Sequence, residues 1–190
     1  MDVGKALKDG IVLFPTDTQY GLGVDALNAD ALKRLRALKG RDDGKPISVM
    51  VSDMDMAAEY AEVTPLAERL AEQFLPGKLT LVLSAKSVLP EELTAGTGTI
   101  GIRIPNHLLC LSMVRELGRP ITATSANMSD KEPEKTPEKI LAQFGAKASD
   151  ISKVIDLGEL PESLPSTVVD ARTETPIILR EGAIPRTDIL

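Results

Sequence analysis

The residues best suited to chemistry gather at the ends of short apolar runs. Ile11, Val12, Leu13 and Phe14 lead through Pro15 into "TDTQYGLG", where Thr16, Asp17, Thr18, Gln19 and Tyr20 precede Gly21 and Gly23. In "TIGIRIP" a period of two puts Ile100, Ile102 and Ile104 on one side, so Thr99, Gly101 and Arg103 share the other. An arginine whose same-face neighbour is glycine has open space beside it, which suits a carboxylate or phosphate; the competing reading is an edge strand with a wet outer face. "TATSANMS" ends a further run in Thr124, Ser125, Asn127 and Ser129, and "PSTVVD" begins one with Ser166 and Thr167. Singly each is an ordinary turn or cap. Jointly, strand ends furnished with small polar groups describe a crevice at the edge of an α/β sheet, where ligands usually bind.

Cations supply the second half of such a site. Between Lys33 and Lys45 stand Lys33, Arg34, Arg36, Lys39, Arg41 and Lys45 against Asp42 and Asp43, a local positive excess in a chain of net charge −6. Lys33, Arg34 and Arg36 read as a solvated helix end whose charge offsets the dipole. For Lys39, Arg41 and Lys45 in "KGRDDGKP" the reading is anion binding, because an Arg fork suits phosphate oxygens, Lys supplies a point charge, and Gly40 and Gly44 free the backbone. The overall negative charge argues against a protein that coats nucleic acid over its whole surface.

Several chemistries are disfavoured. Cys110 is the only cysteine and His107 the only histidine, which leaves no internal disulfide, no zinc cluster and almost no route to Ser-His or Cys-His catalysis. His107 follows "IP" and reads as a helix cap. "LPGKLT" is not a P-loop, and although "GLGVDA" fits G-x-G-x-x-A, its glycines come too long after the strand for a dinucleotide fold. No apolar run is long enough for a membrane span, and the lone cysteine suits a reducing compartment, so a soluble, cytoplasmic protein is expected.

The elements that must position these groups can be read from periodicity and punctuation. The 190 residues, 43 % of them hydrophobic, are expected to form a single domain, 1–190, that buries roughly 70 % of its unfolded surface. Strands are expected at 11–15, 47–51, 79–84, 99–104, 120–124, 153–157, 167–170 and 176–180. Helices are expected from Asn28 to Gly40, from Ser52 or Asp53, from Thr64-Pro65 to before Pro76, from 107 to Gly118, and from Thr136-Pro137 to Gly145. The stretch "AKSVLPEELTAGTG" has no good crossover helix, so the sheet should be mixed rather than purely parallel. The fold class is α/β: an open, twisted mixed sheet flanked by helices.

"PTDTQYGLG", "KGRDDGKP", "LPGKLTLVL", "GIRIP", "TSAN" and "PSTVVD", in that order over residues 15–170 and followed by "ILREGAI", resemble the YrdC-type L-threonylcarbamoyladenylate synthase family. No single piece is specific, but six ordered pieces at family spacing are. The resemblance implies an enzyme, a nucleotidyltransferase that makes threonylcarbamoyl-AMP and pyrophosphate from L-threonine, bicarbonate and ATP, with Mg2+ accompanying ATP. It implies a concave, positively lined cavity, a downstream tRNA-modifying transferase complex as partner, and a possible RNA contact. By position it implies Thr18, Arg103, Ala123 and Ser166 on the threonine side and Arg41, Lys45, Thr99, Ser125, Asn127 and Arg180 on the ATP side. Lys39, Arg41 and Lys45 are the expected catalytic cations, and no resident metal is expected. The chain departs from the family pattern at Met50, where many members have histidine, at Asp130 in place of a glycine, and at Pro133, where a hydroxyl often touches ATP. Two other readings are a non-catalytic RNA-binding module and a paralogue that adenylates another carbamate.

Overall fold

The computed structural model describes residues 3–40, 44–129 and 131–190; Arg41, Asp42, Asp43 and Asp130 lie outside the described residues. The helices are α1 (Val3–Asp9), α2 (Ala29–Lys39), α3 (Met54–Tyr60), α4 (Pro65–Phe74), α5 (Glu91–Thr94), α6 (Leu108–Leu117), α7 (Pro137–Phe144) and α8 (Arg186–Ile189). The strands are β1 (Ile11–Pro15), β2 (Tyr20–Gly23), β3 (Val49–Met50), β4 (Ala61–Glu62), β5 (Leu79–Ala85), β6 (Thr99–Arg103), β7 (Ile121–Thr122), β8 (Thr124–Ser125), β9 (Ile151–Val154), β10 (Thr167–Asp170) and β11 (Ile177–Arg180).

The strands divide between two open mixed sheets. One has the order β8-β2-β1-β9; the other has the order β11-β10-β5-β6-β3-β7, with β4 paired to β5. The chain crosses from the second sheet to the first at Ala123, between β7 and β8. β5 and β6 are antiparallel, as the lack of a crossover helix requires, while β10 runs parallel to β5 and β3 parallel to β6.

Helix ends follow their capping residues. Asn28 accepts from Ala31 N at 3.0 Å, Asp53 from Met56 N at 2.8 Å, Thr64 from Ala67 N at 3.1 Å, and Thr136 from Lys139 N at 3.4 Å. Gly40 closes α2 in the left-handed region at φ 60°, where a Cβ is costly. His107 occupies the position before α6 but makes no cap bond, and its Nδ1 is buried without a partner; the expected side-chain cap is therefore absent.

Two elements depart from expectation. Residues 20–23 form a strand rather than a loop, because the turn closed by Thr16 returns the chain antiparallel to β1, with Phe14 opposite Gly21. A Cβ on Gly23 would stand 2.6 Å from Phe14 Cε1 and 2.8 Å from Ile121 Cγ2, so this glycine serves packing and not phosphate binding. β9 begins at Ile151, earlier than expected, because a 3-10 turn at Gly145–Asp150 delivers the chain there. The core fills the space beneath α2 and α4 with Leu32, Leu35, Leu66, Leu70 and the inward residues of β5 and β6. A smaller cluster of Val12, Phe14, Met50, Cys110 and Met113 lies under α1 and α6. Among the described residues no helix is long and apolar enough to cross a membrane.

Candidate functional site

Between the two sheets lies a cavity of about 200 Å3. The first sheet and its turn contribute Phe14, Thr16, Thr18, Gln19, Tyr20 and Gly21; the second contributes Ser48, Met50, Thr80 and Arg103; Ala123, Thr124 and Ser125 stand where the chain crosses over. Ser166 and Arg180, from the start of β10 and the end of β11, complete the wall. Thr18, Arg103, Ala123, Ser125, Ser166 and Arg180, scattered through the sequence, thus meet in one chamber.

Local structure explains how each arrives. Arg103 ends β6 with Gly101 on the same face, and the space beside Gly101 is taken by Ser48, whose Oγ stands 2.3 Å from where a Cβ would be. The Arg103 fork donates to Asp17 Oδ1 at 2.7 Å and to Thr18 Oγ1 at 3.1 Å. Arg180 donates to the Ser166 carbonyl at 2.8 Å, and Ser166 Oγ lies 2.8 Å from Thr80 Oγ1. Burial and the nearby Arg103 guanidinium push Arg180 below its ordinary pKa. Two positive groups held this close favour an anion between them.

A second chamber of about 600 Å3 continues from the first past Thr18, Gln19, Ser125 and Arg180. It lies between the loop carrying Glu132, Pro133 and Lys135 and a strap, residues 155–166, that runs from β9 to β10. Tyr20 pins the strap from below: its hydroxyl donates to Gly158 O at 2.8 Å and accepts from Leu157 N at 3.0 Å. Burial raises the Tyr20 pKa, partly offset by the Leu157 N–H. Leu160 N donates to Lys135 O at 3.1 Å, and Lys135 pairs with Glu162 at 2.7 Å, so strap and loop are joined.

Of the remaining expected residues, Lys39, Lys45, Thr99 and Asn127 do not line this cavity. Lys39 is only 2 % exposed; its ammonium donates to the carbonyls of Ser125 and Asn127, bracing the loop on which both sit. Asn127 donates to the Met128 and Lys131 carbonyls and accepts from Ser125 Oγ. Lys45 is exposed on the approach to β3, and Thr99 begins β6, at the opposite end from Arg103. Arg41 lies outside the described residues. Arg36, read from sequence as solvated, is buried and donates to Glu92 O at 2.8 Å and Lys45 O at 2.9 Å. Its guanidinium thus ties the end of α2 to α5 and to the segment that leads into β3.

Sequence reasoning left Asp17, Ser48 and Thr80 out of the site. The alternation of "ISVMV" was a usable signal, since Ile47, Val49 and Val51 face one way and Ser48 and Met50 the other. Cys110 is fully buried with Sγ donating to Pro15 O at 3.3 Å, and burial pushes its pKa up to about 12, which removes it as a nucleophile.

The family described as telomere recombination, whose label joins Sua5, YciO and YrdC, matches residues 5–182. The threonylcarbamoyl-AMP synthase of Pyrococcus abyssi is 37 % identical over 180 residues, 94 % of this chain and 52 % of that protein. The threonylcarbamoyl-AMP synthase of Vibrio vulnificus is 37 % identical over 185 residues, 95 % of this chain and 96 % of that one. The crystal structure of P. abyssi Sua5 complexed with L-threonine superposes with a TM-score of 0.90 at 36 % identity, over 98 % of this chain and 54 % of the other. The chain therefore spans about half the length of the Pyrococcus relative and nearly all of the Vibrio one. An open mixed α/β fold, six ordered sequence pieces and a match across residues 5–182 agree: the chain belongs to the Sua5/YciO/YrdC family.

Proposed function

We propose that this chain, acting as a single domain in the cytoplasm, is an L-threonylcarbamoyladenylate synthase that joins L-threonine, bicarbonate and ATP into threonylcarbamoyl-AMP and pyrophosphate. The product would pass to a tRNA-modifying transferase complex. The observation that carries the reading is the paired chamber: a small one holding Arg103 and Arg180 among hydroxyls, opening into a larger one beneath the strap. Similarity to synthases and to a Sua5 structure with bound L-threonine supports it.

The chemistry needs no nucleophile from the protein. Threonine's amine takes up CO2 as a carbamate, whose oxygen attacks the α-phosphorus of ATP as pyrophosphate leaves. What remains for the protein is positioning and charge stabilisation. Arg103 would fork the threonine carboxylate, with Thr18, Ala123 and Ser166 around it. Ser125 and Arg180 at the junction, together with Arg41, Lys45, Thr99 and Asn127, are proposed for ATP. Mg2+ would arrive with ATP as part of the substrate.

The test is pyrophosphate release from ATP with purified protein, with and without L-threonine and bicarbonate, using L-serine as control. Release that needs both co-substrates and prefers threonine is the expected result. Met50, buried on the floor of the small chamber beside Phe14, favours a second reading, a paralogue that adenylates another carbamate. Release with bicarbonate and a different amine would select it. Salt-sensitive RNA binding without turnover would replace both with an RNA-binding module.

A further inference from the structure

Arg103 ends β6 with glycine as its same-face neighbour, so little on its own strand fixes its long side chain. Ordering such a side chain costs rotamer entropy, and something must hold it. The hold comes from the other sheet's turn. Asp17 Oδ1 accepts from Nη2 at 2.7 Å and Thr18 Oγ1 from Nη1 at 3.1 Å, while among the described residues of Arg103's own sheet only Gly77 O, ahead of β5, comes near, 3.4 Å from Nε. Asp17 is itself fixed, its Oδ2 accepting the Asn106 N–H at 3.2 Å. The two side chains are 10 % and 9 % exposed. Thr16 and Thr18 line the chamber and Asp17 between them does not, so the carboxylate stands behind the guanidinium and away from a ligand.

We infer that Asp17 is a positioning residue that aims Arg103 into the small chamber and cancels one of the chamber's two arginine charges, so that a single carboxylate is taken in preference to a dianion. The two arginines are the chamber's only charged lining residues among those described. With Asp17 ionised the three groups carry one net positive charge, matched to a monoanion. Without it, two guanidiniums repel across the chamber, and the freed fork turns from its target.

The test compares wild type with Asp17→Asn by calorimetric titration with L-threonine and, separately, with inorganic phosphate at mildly alkaline pH. The expected result is about tenfold or greater loss of L-threonine affinity, as for a misaligned charged hydrogen bond, with phosphate affinity kept or improved. Unchanged threonine affinity, or an equal loss for both ligands, would overturn the inference. The threonine arm rests on the proposed function; a second arm does not. In 15N-labelled protein the Arg103 Nη–Hη signals, assigned by their disappearance in Arg103→Lys, should be resolved in wild type and lost to exchange in Asp17→Asn. If wild type takes up no threonine, the proposed function fails, and this signal alone decides: its loss upholds the positioning role and its persistence ends it. If Asp17→Asn does not fold, Asp17→Ala, which removes the carboxylate outright, replaces it in both arms, and the same losses uphold the inference or, by their absence, overturn it.

Discussion

Arg103 and Arg180 owe their value to what surrounds them. Arg103→Ala should weaken L-threonine by about 1.5–3 kcal/mol, the worth of a charged hydrogen bond, and ATP much less; calorimetry on both ligands checks it, and equal losses would separate Arg103 from the carboxylate. Cys110 makes the opposite prediction. Its buried thiol, with a pKa of about 12, should resist alkylation at neutral pH while the protein is folded and react on unfolding, as mass spectrometry would show. Among residues, those at strand ends with unusual polarity were legible in the sequence. Arg36, Lys39 and Asp17 were less so, because a charged side chain that turns inward to carbonyls or to another sheet looks in sequence like one that turns to water. Only the tertiary partner distinguishes them.

Elements were legible wherever a local interaction specifies them. Asn28, Asp53, Thr64 and Thr136 each cap the helix their spacing announced. β2 was missed because its information lies in its partner: Gly21 and Gly23 suit a strand only with the Phe14 ring above them. Gly23→Ala should therefore destabilise the fold by about 1–3 kcal/mol through overpacking, read from denaturant midpoints. The division into two sheets was equally hidden, since Ala123 gives no local sign that the chain changes sheet. Asp53 offers a pH test. Its cap bond from Met56 N, aided by Ser52, holds its pKa below the usual carboxylate range. A lowered folded pKa means stability present above the unfolded value and lost as pH falls through the folded one. Asp53→Ala should thus cost about 1 kcal/mol at neutral pH, and the gap to wild type should close in acid.

Across the whole molecule, the binding region is an assembly of distant segments held by few bonds. The strap reaches the first sheet through Tyr20 and through Ile155, whose N–H donates to Leu13 O, and the 131–136 loop through Leu160 and Glu162, so the wall of the larger chamber depends on contacts far apart in sequence. Tyr20→Phe should accelerate hydrogen exchange at the Leu157 amide while leaving core amides protected, because that amide donates to the Tyr20 hydroxyl, which in turn donates to Gly158 O. The same hydroxyl gives the protein an optical signal of its own. With no tryptophan and only Tyr20 and Tyr60 as phenols, near-ultraviolet absorption reports on two rings, and burial raises the pKa of both. A strap that lifted away would hand one of those phenols to water, so the tyrosine band would shift and its alkaline ionisation would move back toward pH 10.0 as the chamber opened.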